Sequence, residues 1–564
     1  MKRTKQQEIC VAMSKEPAGI LKIEAGAGAG KTSTLVECAK ENIRRSIYLA
    51  FNKVTAEEAR ERFPDHVTAS TTHSVAYRAY GVALQHKLTR PKGGYKNVAG
   101  TGSEIAKYYN LQDEWQDGKR IATANAMGLF VKQTVERFQQ SADREISYKH
   151  VPVKDAEDVR RESPMAISRI VDCAKKLWKD RIDTNSIVLA SHDTYLKQYQ
   201  LSNPHISHEI IYVDEFQDTT PCVLDIVLRQ THAKIIVVGD RRQAIYGWRG
   251  AVNAMQMINA PTAMLSQSFR YGQGIADVAS AILDYDMILT GREDIKCVIG
   301  YQVVDRTKPH MYLFRTNAVL LMEAVAAIDR GEKVKVEIDV KDFVKVLQSA
   351  QALYNNDMKN VKHENILQFL NWKDLVEEAE DVGGELKRLV AIVEGQQADH
   401  FIDVLEHYHN PDDAIAIYTT AHKAKGREEE QVILASDYPS CWEGNKWKGL
   451  NEVEQNLLYV AATRAKRVLE INKTLADILD HHSIEYGEEK DWDTTPKEDT
   501  SSYEYVAANY EALSAKADEI DAAILAAGGY NNVMRGEHAI EAMHREMGLS
   551  DGDMHGKPVT LEDI

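Results

Sequence analysis

The sequence predicts an α/β protein built on parallel, doubly wound sheets. Three short strand-like runs predict it: Leu21-Lys22-Ile23-Glu24, Ile210-Ile211-Tyr212-Val213 and Ile235-Ile236-Val237-Val238. Each delivers glycines or polar residues at its carboxyl end, and helix-patterned stretches separate them, as in strands buried on both faces. Ligands of such open sheets bind outside the carboxyl ends of the strands.

The first run leads into Ala25-Gly26-Ala27-Gly28-Ala29-Gly30-Lys31-Thr32-Ser33 and then a helix-patterned stretch over 34–43. Strand, glycine-rich loop and helix in this order make a phosphate loop. Glycines let backbone N–H groups approach phosphate oxygens, and the helix N-terminus adds positive potential. Lys31 is expected to reach the β- and γ-phosphates, and Thr32 to ligate Mg²⁺. Ala25 stands where the first glycine is usual, a small residue that preserves the turn.

The second run ends in Asp214-Glu215-Phe216-Gln217-Asp218. Asp214 is placed to hold Mg²⁺ through water, and Glu215 to orient and deprotonate the water that attacks the γ-phosphate. Alone, this acidic cluster would be a solvated turn; beside a phosphate loop it favours nucleoside triphosphate hydrolysis. The third run ends in Gly239-Asp240-Arg241-Arg242-Gln243, where Gln243 is a candidate sensor of the γ-phosphate. ATP hydrolysis with Mg²⁺ is the least these residues predict.

Size and composition agree with a large cytoplasmic protein. The 564 residues suggest roughly three to five domain-sized units. Hydrophobic residues make up 44% and charged residues 27%, as in ordinary globular proteins. No run approaches the ~18 apolar residues of a membrane span, and the first residues lack a signal-peptide stretch. The six cysteines are scattered singly, so they are expected reduced and buried rather than metal-binding. A net charge of −16 opposes nucleic-acid binding, but residues 483–564 hold 19 acidic and 6 basic residues, a net of −13. That leaves −3 for the rest, which can carry a local basic track.

The string Gly239 to Ala251, with Tyr246, Trp248 and Arg249, resembles motif III of superfamily 1A helicases, the UvrD/Rep/PcrA group. Other strings then resemble that group's motifs in order. Thr4 to Val11 is similar to the Q motif, Phe51-Asn52-Lys53 to motif Ia, and Ser70 to Ser74 to motif Ib. Leu265 to Arg270 is similar to motif IV, Phe314 to Asn317 to IVa, Thr420 to Glu428 to V, and Leu458 to Ala465 to VI. The nearest branch is that of the F-box DNA helicases, from Ser191 to Lys197, Ser268 to Gly272 and Thr420 to Gly426. With 24 residues before Ala25, no F-box is expected, and that branch's ubiquitin-ligase role is not carried over. A bacterial or phage relative fits, hence a nucleoid-associated or host-cytoplasmic location.

The resemblance implies two RecA-like P-loop domains with ATP between them and helical insertions, to which the charge distribution adds an acidic C-terminal tail. Gln7 would read adenine, Phe269 stack on it, and Glu428 contact the nucleotide. Arg270 and Arg464 would act as arginine fingers from the second domain. Ser33 stands where relatives often have Arg. Trp248 is the leading candidate for base stacking, supported by Tyr246. Asn52, Lys53, Thr72, His73, Arg249 and His422 are candidate DNA contacts, with a structural histidine as the alternative for His73.

By residue, domain 1A is expected at 1–90 and 188–265, a helical 1B insertion at 91–187, and domain 2A at 266–330 and 411–480. A reduced 2B-like insertion is expected at 331–410 and the tail, with short helices, at 481–564. The implied function is 3′→5′ translocation on single-stranded DNA and unwinding of tailed or forked duplexes. Stripping recombinase filaments from a strand, and an ATP-regulated binding switch, stay open as alternatives. A monomer or weak oligomer is expected, with a protein partner able to dock on the acidic tail.

Overall fold

The protein is described by a computed structural model that defines residues 3–88, 100–116, 118–152, 164–247, 250–382 and 384–487. Six strands form one wholly parallel sheet: β1 (Gly19–Ala25), β2 (Ser46–Ala50), β3 (Val67–Thr71), β4 (Ile210–Val213), β5 (Lys234–Gly239) and β6 (Thr262–Leu265), in the order β3-β2-β4-β5-β1-β6. The three predicted runs lie in β1, β4 and β5. Their alternate side chains feed two cores. Ile211, Val213, Ile235 and Val237 pack on one face, while Ile210, Tyr212, Ile236 and Val238 meet Leu35 and Cys38 on the other. Burial on both faces is why these strands read as unbroken apolar runs.

A second parallel sheet comprises β7 (Val298–Gly300), β8 (His310–Phe314), β9 (Val334–Val336), β10 (Ala416–Thr420), β11 (Glu429–Leu434) and β12 (Ala465–Glu470), ordered β7-β12-β11-β8-β10-β9. The strand Gln267–Gly272, one residue beyond β6, leads from the first lobe into the second.

The segment 331–410, expected as an inserted module, is tied into the second lobe. Val334–Val336 is the edge strand of its sheet, paired with β10. Helices Val340–Tyr354 and Ala398–His407 bury Leu347, Leu353, Phe401 and Leu405 in one core with helix Asn317–Asp329. Each helix has an apolar stripe that needs cover, and the sheet's own helix supplies it. Expectations for the tail beyond residue 487 lie outside the described residues.

The segment between β3 and β4 carries helices Gly102–Tyr108, Ala124–Gln140 and Pro164–Ile182 around a core of Ile105, Val131, Val135, Phe138 and Leu177. Two buried lysines fasten it to the first lobe. Lys87 donates to the carbonyls of Asp180 (2.7 Å) and Arg181 (3.2 Å), and Lys197 to that of Ser141 (2.8 Å), each at the C-terminal end of a long helix. Positive charge there complements the helix dipole and its unpaired carbonyls. All six cysteines are free and all but Cys297 are buried. Among the described residues, no helix is long and apolar enough to cross a membrane.

The first two insertion helices cross at glycines. A Cβ on Gly128 would stand 2.0 Å from the Gly102 carbonyl oxygen. Gly128→Ala gains about 1 kcal/mol of helix propensity and costs about 1–3 kcal/mol by overpacking against backbone. We expect a lower unfolding temperature in a thermal melt; an unchanged or higher one would show that the crossing yields.

Candidate active site

At the end of β1 the chain turns through Gly28 and Gly30, with φ of 74° and 75°, into helix Lys31–Glu41. These left-handed values favour glycine. Lys31 Nζ lies 3.0 Å from Glu215 Oε1. Thr32 Oγ1 and Tyr48 Oη both donate to Asp214 Oδ2, each at 2.7 Å. Burial works against the Lys31 ammonium, but Glu215, Asp240 and Asp214 outweigh it and raise its pKa. Burial also pushes the Glu215 carboxyl up, yet Lys31 and Lys425 hold it down at about 2. Asp214 is raised by burial and by the adjacent Glu215 charge. Glu215 itself has φ of 49°, a left-handed backbone that costs a non-glycine residue about 1–3 kcal/mol.

These groups face a cavity of about 510 Å³ lined by Gly28, Ala29, Gly30, Lys31, Thr32, Ser33, Asn52, Glu215, Asp218, Gln243, Tyr246, Phe269, Arg270, Lys425, Glu428 and Arg464, among others. The hydroxyl of Thr32 beside the carboxylate of Asp214 is an all-oxygen donor set suited to Mg²⁺. From the second lobe, Arg270 donates to Glu428 (2.7 Å) and to the Thr463 carbonyl (3.0 Å). Arg464 is 1% exposed and donates to the carbonyls of Val460 (2.7 Å) and Arg427 (3.1 Å). Burial, then the neighbouring Arg270 charge, pushes its pKa down to about 9. Gln243 donates to Asp240 at 2.7 Å.

Gln7, Ala25, Gly26 and Ala27 are not among the residues that line this cavity. The Gln7 amide is engaged locally, accepting from Thr4 N–H in a capping box and donating to Thr34 Oγ1 at 3.3 Å. Arg62 donates to Ser33 Oγ at 2.9 Å and so brings a guanidinium to the cavity rim.

A second cavity, of about 350 Å³, lies beside the first and shares Phe51, Glu215, Asp218 and Tyr246 with it. Thr72, His73, Gln139, Gln140 and Asp193 also line it. The Phe51 and Tyr246 rings face each other with centroids 6.1 Å apart and planes 8° from parallel. His73 pairs with Asp193 at 2.9 Å. The Asn52 side chain caps helix Lys53–Arg62 through Thr55 N–H, and exposed Lys53 lies 3.7 Å from Glu57. Tyr246 Oη donates to the His422 carbonyl at 3.1 Å, joining the lobes. Trp248 and Arg249 lie outside the described residues.

Residues 3–260 match the UvrD/REP helicase N-terminal domain, and residues 333–476 the UvrD-like helicase C-terminal domain. The chain belongs to the UvrD/REP helicase family. It is similar to F-box DNA helicase 1 of Gallus gallus, 34% identical over 525 residues that cover 85% of this chain and 50% of that protein. F-box DNA helicase protein 1 of Schizosaccharomyces pombe is 27% identical, with 84% and 58% covered. ATP-dependent DNA helicase PcrA of Leuconostoc citreum is 26% identical, with 48% and 37% covered. The chain thus spans about half the length of the first of these relatives.

Within this UvrD/REP frame the structure adds residues that the sequence left without a role. Lys425, inside the motif V string, donates across the cleft to Asp218 and to the Gln243 carbonyl, and lies 5.0 Å from the Tyr246 ring centroid. Phe51 and Asp218 likewise sit in quoted motifs. Nothing in their spacing shows what they meet, because each partner is far along the chain.

Lys425 and Asp218 side chains are 8% and 1% exposed. Burial already lifts Asp218 to about 6 against the pull of Lys425. Removing one partner of such a buried pair costs about 3–5 kcal/mol. Lys425→Met is expected to lower the urea midpoint, and adding Asp218→Asn to restore part of it. Strictly additive losses in the double variant would mean that the pair carries no coupling.

Proposed function

We propose that the chain is an ATP-dependent 3′→5′ translocase on single-stranded DNA and a DNA helicase, acting in replication, recombination or repair. The polarity and the tailed or forked substrates come from the family likeness. The observation that supports coupling of nucleotide to strand is that the two cavities share Phe51, Glu215, Asp218 and Tyr246. A change at the carboxylates is thereby felt at the aromatic pair.

Lys31 and the loop N–H groups take the β- and γ-phosphates, and Thr32 with Asp214 would hold Mg²⁺, whose charge would offset that of the phosphates. Once a phosphate replaces Glu215 as the partner of Lys31, the carboxylate is released to orient the attacking water and accept its proton. Arg270 and Arg464 exchange their present acceptors for γ-phosphate oxygens when ATP fills the cavity. On the strand side, the rings of Phe51 and Tyr246 stand 6.1 Å apart. Each ring offers a flat face on which a base can stack. Such stacking is worth about 1–3 kcal/mol per base and tolerates any sequence.

Three outcomes test this. With ATP, the protein should separate a 3′-tailed duplex and leave a 5′-tailed one intact; equal action on both, or none, would contradict the proposal. Lys31→Ala or Glu215→Gln should abolish turnover while single-strand affinity is retained, as read by fluorescence anisotropy. Phe51→Ala with Tyr246→Ala should weaken that affinity by about 1–3 kcal/mol per ring with ATP hydrolysis surviving without DNA; undiminished binding would remove the pair from the strand path.

A further inference from the structure

The phosphate loop is gripped from the second lobe at Ala27, which is 0% exposed, and at Gly28, whose carbonyl accepts from Phe269 N–H at 2.9 Å. The Ala27 N–H donates to Tyr459 Oη at 2.8 Å, and the Ala27 carbonyl accepts from Tyr271 Oη at 3.0 Å. Both tyrosines are themselves fully buried, and neither lines the nucleotide cavity. The Tyr459 hydroxyl donates onward to Asp240 Oδ2 at 3.0 Å. That same oxygen accepts from Gln243 Nε2 at 2.7 Å. One hydroxyl therefore joins the loop that cradles phosphate, the anchor of Gln243, and helix Glu452–Ala462, beyond whose end Arg464 stands.

The surroundings leave little slack. A Cβ on Gly26 would stand 2.3 Å from Leu289 Cδ2, and one on Gly28 2.8 Å from Arg270 Cβ. A buried hydroxyl without partners is unfavourable, so the Tyr459 hydroxyl holds this register by accepting and donating at once. Opening of the cleft would carry the helix away and break both bonds together. The loop would then lose its second-lobe partner at Ala27 N–H, and Asp240 would lose one of its donors.

We infer that Tyr459 is a positioning residue for ATP hydrolysis: its hydroxyl sets the register of the second lobe on the phosphate loop and so fixes where Gln243 and Arg464 meet the γ-phosphate. Tyr271 assists by holding the other side of the same residue. The inference rests on reading the cleft as an ATPase.

The test is steady-state ATP hydrolysis by the full chain with single-stranded DNA present. Tyr459→Phe keeps the ring and removes only the hydroxyl. We expect kcat to fall about tenfold or more while KM for ATP stays within about twofold, because the cavity wall is untouched. A residue that served folding alone would lower the unfolding temperature and leave kcat per folded molecule unchanged. Tyr271→Phe should give a smaller loss of kcat, again without a change in KM, and carries the test if Tyr459→Phe does not fold. Wild-type kcat in the variant that folds, or a loss expressed mainly in KM, would overturn the inference. A wild-type chain without ATP turnover would instead remove the ATPase reading beneath it.

Discussion

A buried ammonium, that of Lys425, joins the two lobes where the first cavity meets the second. Its partner Asp218 is 5% exposed and follows β4 within the Asp-Glu motif, whereas Lys425 follows β10 of the other sheet. A carboxylate at that depth needs a cation, and the first lobe's own lysine, Lys31, is paired with Glu215. The second lobe therefore has to present Lys425 in this register or leave a buried charge unpaired. Its ammonium also lies 5.0 Å from the centroid of the Tyr246 ring, which is near-parallel to that of Phe51. Movement of one lobe relative to the other must disturb carboxylate and rings together.

Around that tie, the site is divided so that neither lobe holds a complete ATPase. The first lobe supplies the phosphate loop, Asp214 and Glu215; the second supplies Arg270, Arg464 and Glu428. The contacts of Tyr459 with Ala27 and Asp240, and of Tyr246 with the His422 carbonyl, add hydrogen bonds across the same boundary. The left-handed backbone of Glu215 is a local cost that this surrounding network supports, and it aims the carboxylate into the cavity.

Much of this arrangement was legible in the residues. Strands β1, β4 and β5 could be read because burial on both faces writes continuous apolar runs, and the phosphate loop because its chemistry is local to nine residues, Ala25 to Ser33. The place of 331–410 could not be read, since Val334–Val336 joins the sheet by pairing with β10, which lies across a long helical excursion. Lys425 and Tyr459 stood inside recognisable motifs, but their roles depend on partners brought near only by closure of two lobes. The Gln7 amide, which caps its own helix and bonds Thr34, stands beside Gly30, as does the Phe269 ring from far along the chain.

Coupling of the two cavities is tested most directly by the rate of ATP hydrolysis by the wild-type chain with and without single-stranded DNA. A strand seated against Phe51 and Tyr246 should favour the closed arrangement of Lys425, Tyr459 and Arg464, raising the rate by about tenfold or more, which takes about 1.4 kcal/mol off the barrier. Hydrolysis at the same rate in the absence and presence of saturating DNA would contradict it.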